Sequence, residues 1–270
     1  MEEAATAPLE HEGFTLVELS IVLVIIGLVV GGVLVGQDLI RAAEIRSIVS
    51  DKERVVTAVY TFNTKYNAIP GDMRDAQSIW GAAASCTAAQ TTAATCNGDG
   101  DGLLEGGYGA GTIGNELFLF WKHLANAGLL AGNFSGISDG STGYATTQNN
   151  APGGKIFNSL WYIQDFGVLN GSIFGFDGVY NNSMEFGLYK VNEDPINPIL
   201  TAKEMLALDS KIDDGKPGSG LLMAEQYGTN CTAKADGVST TTYSDNLTAI
   251  YRVSSTGKVC ALLFTNVFKK

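Results

Sequence analysis

Charge is scarce in this 270-residue sequence: charged residues make up 17%, and 17 lysines and arginines stand against 28 aspartates and glutamates, a formal net charge of −11. A general nucleic-acid surface is basic, so the composition argues against that class of partner. Histidine is limited to His11 and His123, and no CxxC pair occurs, which leaves a zinc site without its usual ligand spacing. There is no P-loop; G-A-G-T-I-G (109–114) precedes a predicted helix but follows a stretch that reads as loop, not strand, and G-I-S-D-G (136–140) lies in another loop-like stretch, so neither glycine motif has the strand context its chemistry needs. His123, mid-helix beside Lys122, reads as structural, and Trp80, Trp121 and Trp161 read as core. The chain is therefore expected not to be an enzyme. Proline is also thin, with six residues and none between Pro8 and Pro70, so nothing in that interval forces a helix to break.

The four cysteines are Cys86, Cys96, Cys231 and Cys260. An even, widely spaced set fits two disulfides formed in an oxidising compartment. Three connectivities are available. The pairing Cys86–Cys96 and Cys231–Cys260 is favoured because each pair lies within one sequence region, against the alternative of four reduced thiols. Loops of those lengths would each contribute about 3–4 kcal/mol in the chain-entropy model.

What is abundant lies at the start. From Phe14 to Gly36 the chain reads FTLVELSIVLVIIGLVVGGVLVG, interrupted by one ionisable group, Glu18. That length suits a helix crossing a bilayer, the form that satisfies its own backbone groups in lipid. A secretory signal peptide is a poor fit: it has a basic start, a shorter apolar core and a small-residue cleavage site after it. This segment starts with Glu2, Glu3, Glu10 and Glu12, and no A-x-A follows. Beyond Gln37 and Asp38, apolar residues recur at helical spacing (Ile45, Ile48, Val49, Val56, Val59, Tyr60), with Arg41, Glu44, Arg46, Asp51, Lys52, Glu53 and Arg54 between them. The pattern predicts an amphipathic continuation to about Lys65, roughly 78 Å of helix from Phe14 at 1.5 Å per residue.

The stretch GFTLVELSIVLVIIG, Gly13 to Gly27, resembles the cleavage and methylation motif of type IV prepilins and type II secretion pseudopilins. That family has Gly before the cut, Phe after it and Glu as the fifth mature residue; Gly13, Phe14 and Glu18 occupy those positions. The resemblance implies cleavage between Gly13 and Phe14 by a membrane prepilin peptidase and N-methylation of Phe14. It also implies that Glu18 pairs with the new amine of a neighbouring subunit. A carboxylate in a membrane helix costs about 2.5–3.5 kcal/mol on insertion scales, so such a partner matters; the alternative is a Glu18 solvated at headgroup depth. YNAIPGD, Tyr66 to Asp72, also looks like the turn that follows the long helix in pseudopilins. Two features depart from the family's usual pattern. The leader is acidic where lysine or arginine is usual, which weakens a positive-inside argument. Gly31, Gly32 and Gly36 stand where many pilins carry a proline, and suit local melting or close helix contacts, or equally are ordinary membrane-helix glycines.

The rest predicts an α+β domain: a turn around Ala76 to Trp80, a helix over Asn115–Leu130, and a short helix from Thr201 to about Ile212 opened by the capping box T-A-K-E. Strand-like stretches fall at about 156–164, 171–176, 184–191, 219–226, 248–254 and 258–265. The expected organisation is a leader (1–13), a transmembrane helix (14–36), its amphipathic continuation (37–65) and a globular domain (66–270) with an antiparallel sheet, the helix-on-sheet architecture that the resemblance also implies.

Two acidic stretches are candidate cation sites. In NGDGDGLLE, Asn97, Asp99 and Asp101 alternate before Gly102, as in the first half of an EF-hand loop. The twelfth position is Tyr108 rather than Glu, so Glu105 or Glu116 would have to complete a Ca²⁺ shell, and the competing reading is an ordinary acidic turn. Asp209 and Asp213 share a helix face beside Asp214, a poor place for acids against the helix dipole; the favoured reading is a solvated helix exit capped by Gly215.

The function these features point to is a structural subunit of a pilus-like or secretion pseudopilus filament, in a bacterial inner membrane with the domain in the periplasm or on the cell surface. Its partners would be copies of itself or related subunits, the prepilin peptidase, an assembly platform and lipid. An adhesin or DNA-uptake minor pilin and a membrane-anchored protein that never polymerises are the alternatives. Removing the four leader glutamates leaves 24 acids against 17 bases, or −7, with no basic cluster beyond Lys269–Lys270 for DNA capture.

Overall fold

The computed structural model describes residues 13, 15–86, 90, 92–106, 116–138, 149–169, 176–190, 193–225, 230–234 and 248–268. The chain divides into two units, one ending at Glu44 and one beginning at Ile45. A single helix, α1 (Leu16–Tyr66), supplies residues to both.

In the first unit the apolar side chains of α1 from Leu16 to Ile40 are exposed, and the helix is long and apolar enough to cross a membrane. It runs unbroken through Gly27, Gly31, Gly32 and Gly36, and an added Cβ at any of them meets nothing within 4 Å. No local melting accompanies these glycines.

In the second unit α1 buries Ile48, Asp51, Val55, Ala58, Val59 and Phe62. The three- and four-residue steps make one stripe along the helix. The stripe differs from the sequence expectation: Tyr60 is 57% exposed, and Val55 and Phe62 are buried in its place. Asp51 sits in the stripe and pairs with Arg54 at 3.2 Å.

A short helix α2 (Ala76–Trp80) follows the turn, then α3 (Glu116–Asn126). Helix α3 is shorter than expected because Gly128 takes φ +74°, a left-handed conformation that ends helices, and Leu129 N–H turns back to the Leu124 carbonyl at 3.0 Å. Every residue from Glu116 to Leu124 is buried. Between Asn197 and Leu222, the capping box expected at Thr201 opens α4 (Ala202–Ile212): Glu204 N–H donates to Thr201 Oγ1 at 3.2 Å, and Thr201 N–H to Glu204 Oε2 at 2.8 Å.

The central sheet is antiparallel, in the order β1 (Ser159–Gln164), β4 (Ser183–Lys190), β9 (Ala261–Phe264), β6 (Leu222–Glu225), with β5 (Glu193–Asn197) also paired to β4. Two ribbons complete the described strands: β2 (Gly167–Leu169) with β3 (Gly178–Tyr180), and β7 (Thr232–Lys234) with β8 (Ala249–Tyr251). Strands expected at 156–164, 219–226, 248–254 and 258–265 appear shortened as β1, β6, β8 and β9, and the one expected at 184–191 appears at full length one residue earlier as β4. The expected stretch at 171–176 falls almost wholly outside the described residues, and Phe176 is not in a strand. The sequence reading did not anticipate β5, whose Pro195 suits an edge position where no ladder N–H is needed. The inner face of the sheet, including Trp161, Met184, Phe186, Leu262 and Phe264, packs with Phe62 of α1, Phe120 of α3 and Met205 of α4 in one core. The unit is α+β, as the sequence predicts.

Two disulfides close the cysteine set: Cys86–Cys96 and Cys231–Cys260. They are the pairing favoured from sequence position.

Candidate functional site

The turn after α1 is built around Gly71. Its φ of +94° and the Glu116 carbonyl, which an added Cβ would meet at 2.5 Å, both exclude a side chain. The next residue, Asp72, is thereby placed against the loop that runs from Asn97 to Glu105. Asp72 Oδ2 accepts from Gly102 N–H at 2.8 Å, and Oδ1 accepts from Gly100 N–H. Carboxylate oxygens of Asp72, Asp99 and Asp101 lie within 4.8 Å of one another, Asp72 buried and the other two exposed. Of the four sequence candidates, Asp99 and Asp101 enter this group. Asn97 Oδ1 instead accepts from Gln77 N–H at 2.9 Å, at the start of α2, and Glu105 is exposed and stands outside the group.

Asp72 escaped the motif reading because it lies about 30 residues from the loop in sequence; only its place at the end of YNAIPGD marked it. Glu116 acts as a clip rather than a loose acid: Oε1 accepts from Asp99 N–H at 2.9 Å and Oε2 from Glu105 N–H at 3.2 Å. Burial pushes its carboxyl up to about 7, against the lowering effect of those two hydrogen bonds, with the Asp72 and Asp99 charges adding to the rise. Burial likewise raises Asp72, again opposed by its backbone donors and reinforced by Asp101 and Asp99. The two buried acids, Asp72 and Glu116, thus hold their protons more tightly than usual beside two exposed aspartates. A cleft of about 400 Å³ opens beside it, with Tyr66, Asn67, Asp72, Arg74, Asp75 and Gly100 among its lining residues. Arg74 Nε donates to the Asp99 carbonyl.

His123 has both ring nitrogens engaged. Nδ1 accepts from Gly71 N–H at 2.9 Å, and Nε2 lies 3.1 Å from the Cys96 carbonyl and 3.2 Å from Thr95 Oγ1. The ring stacks near Trp80 and Phe62. Its neighbours on α3 hold the Cys86–Cys96 loop as well: Lys122 Nζ donates to the Thr92 carbonyl and Asn126 Nδ2 to that of Ala93 at 2.7 Å.

The second acidic stretch is a solvated exit only at its end, where Asp214 is exposed. Asp209 is fully buried, accepting from Tyr251 O–H at 2.7 Å and Gly215 N–H at 3.3 Å. Burial pushes it up to about 6. Asp213 caps α4 and accepts from Leu221 N–H and, at 2.9 Å, Leu222 N–H; Asp214 accepts from Lys216 N–H and Ser219 O–H. Gly215, the expected cap, takes φ +74° two residues later. The backbone donors that follow account for acids at this helix end.

At the other end of the chain, Gly13 is exposed, Phe14 lies outside the described residues, and Thr15 caps α1. Thr15 N–H and O–H donate to Glu18 Oε2 at 2.8 and 2.7 Å, and Glu18 N–H donates to Thr15 Oγ1 at 3.2 Å. This is a reciprocal capping box, readable in T-L-V-E but not anticipated. It satisfies orphan donors at the helix head and fixes the Glu18 carboxylate against Thr15.

The family description "Prokaryotic N-terminal methylation motif" matches residues 11–34. No curated protein and no solved structure matches the chain. The matched segment covers Gly13, Phe14 and Glu18 together with the apolar head of α1, and fits a membrane-anchored protein; in this segment the chain is similar to type IV pilin-like proteins.

Proposed function

We propose that this protein is a structural subunit of a type IV pilus-like or type II secretion pseudopilus filament, anchored in the bacterial inner membrane with its domain in the periplasm before assembly. The observation that carries the reading is the methylation motif at the head of a long, exposed, apolar helix. Cleavage between Gly13 and Phe14 creates an amine, and Glu18, already oriented by Thr15, is the acid that meets the amine of a neighbouring subunit. An exposed apolar helix buries its surface in lipid first and against other subunits' helices afterwards. The protein's role is to assemble rather than to catalyse; the occupied nitrogens of His123 agree with a structural histidine.

The experiment is mass spectrometry of the mature N-terminus combined with a Glu18→Ala variant in a producing strain. Methyl-Phe14 is expected, with the variant retained in membranes and its recovery in sheared filaments reduced at least tenfold. An intact Met1 end, or undiminished incorporation of the variant, would sink the reading.

A second reading concerns a ligand. The convergence of Asp72, Asp99 and Asp101 supports a Ca²⁺ bound by hard oxygen ligands, with a structural role in fastening the loop to the turn after α1.

A further inference from the structure

Strand β9 presents Ala261 and Leu263 to the outer face of the central sheet. Register places Glu185 of β4 opposite Leu263 and Glu225 of β6 opposite Ala261. Two glutamates on different strands therefore flank β9 with an offset of two residues, and their carboxyls meet in a hydrogen bond across it. Glu185 is 1% exposed and Glu225 3%. Small residues make room for them. Ala261 lies in the same row as Glu225, and Gly187 lies beyond it, where an added Cβ would meet the Pro195 carbonyl oxygen at 1.9 Å. Strand β5 closes down at that point, carrying the buried Asp194. Phe176, Tyr180 and Ala249 cover Leu263 and Met223 on the same face.

Each carboxyl leaves one oxygen, Oε2 of Glu185 and Oε2 of Glu225, without a hydrogen-bond partner among the described residues. No ion pair among the described residues involves either acid. Among the described residues, the charged and titratable groups on the surrounding elements include Tyr162 of β1, opposite Glu185 in register, Asp194 from β5, Tyr180 from β3 with the adjoining Asp177, and Lys190, exposed at the end of β4. Arg252, after β8, donates to Asn230 Oδ1 instead. Two ionised carboxylates in contact and out of water are prohibitively costly. One proton held between two carboxyls removes that cost, as in other close acid pairs.

We propose that Glu185 and Glu225 share one proton across β9 at neutral pH, an acid pair that seals the outer face of the sheet and releases its cover under alkaline conditions. Glu185 is the donor: burial, then the charges of Glu225 and Asp194, hold its carboxyl well above the usual carboxylate range. Burial raises Glu225 too, and the hydrogen bond it accepts from Glu185 partly offsets this. The sign follows. An acid that keeps its proton only when folded stabilises the fold fully at low pH, and that contribution falls as pH rises toward the folded value. Above it the proton leaves to water, and two buried charges push against β5 and the β2–β3 ribbon.

The test uses the full chain in detergent, melted in steps from pH 7.5 to 9, above the values reached by Glu116 and Asp209. Wild type is expected to lose roughly 3–5 °C per pH unit, the size set by one proton released on unfolding in a domain of this length. Glu185→Gln puts a fixed amide N–H where the shared proton was, and its melting temperature should stay nearly flat. Parallel slopes would overturn the proposal. Wild type alone supplies a second readout: an infrared carbonyl band of a protonated carboxylic acid should persist at pH 8. Its absence, or its loss on adding Ca²⁺ (a cation in place of the proton), would equally overturn it.

Discussion

Burial keeps the imidazole of His123 neutral: desolvation pushes it down to about 4, with the nearby Lys122 charge adding to the effect and the Cys96 carbonyl opposing it. In the unfolded chain the ordinary value is near 6.5. Between those two values the unfolded state binds more protons, so stability rises with pH. The contribution is complete above about 6.5 and is lost as pH falls toward 4, roughly 3 kcal/mol for a buried group. Melting curves at pH 7 and pH 4 should therefore show a larger acid loss in wild type than in His123→Gln, whose amide can still accept from Gly71 and donate to Cys96; equal losses would count against the buried neutral ring. The sequence showed a lone histidine beside a lysine on a helix. It did not show that Gly71 and Cys96, 52 and 27 residues away, converge on that ring, because such a meeting is set by packing and not by spacing.

Local signals decided whole elements where the partners lie within one turn of each other. Helix α4 begins where T-A-K-E says it should, since both hydrogen bonds of the box span three residues. Thr201→Ala is expected to cost about 1 kcal/mol, a fall of about 2–4 °C in melting temperature, while Thr201→Ser recovers most of it; an unchanged alanine variant would mean the cap is dispensable. Helix α3 is the opposite case. Its apolar stripe was legible and His123 read as structural, but nothing in the sequence told what Lys122, His123 and Asn126 would bind. They are ligands for carbonyls of the Cys86–Cys96 loop, so the polar side of the helix is covered as fully as the apolar one. Strand β4 hid its acid in the same way, because alternation in SMEFGLYK suggests that Glu185 faces solvent, whereas the outer face of the sheet is covered.

In the globular unit as a whole, the acidic loop links the turn after α1 to α3 through Asp72, Asp99 and Glu116. A bound cation would therefore act on global stability, because the groups it ties come from separate parts of the chain. Ligand at a hundredfold excess over its dissociation constant adds about 2.7 kcal/mol, so saturating Ca²⁺ should raise the melting temperature by roughly 5–10 °C. Asp72→Asn should abolish most of that shift. No shift in wild type would remove the calcium reading and leave the loop as a hydrogen-bonded turn, without touching the filament proposal, which rests on the other end of the molecule.

That other end belongs to the sequence. Gly13, Phe14 and Glu18 lie within six residues, a membrane-length apolar run needs only composition, and both disulfides join cysteines already near in the chain; each was readable because short range leaves few alternatives. The tertiary structure decided what long range controls: Asp72 joining Asp99 and Asp101, His123 bridging Gly71 and Cys96, and Glu185 reaching Glu225 across β9. In each of these the chemistry depends on removing water from a polar group and placing a distant partner beside it, and burial arises only when the core and sheet have formed.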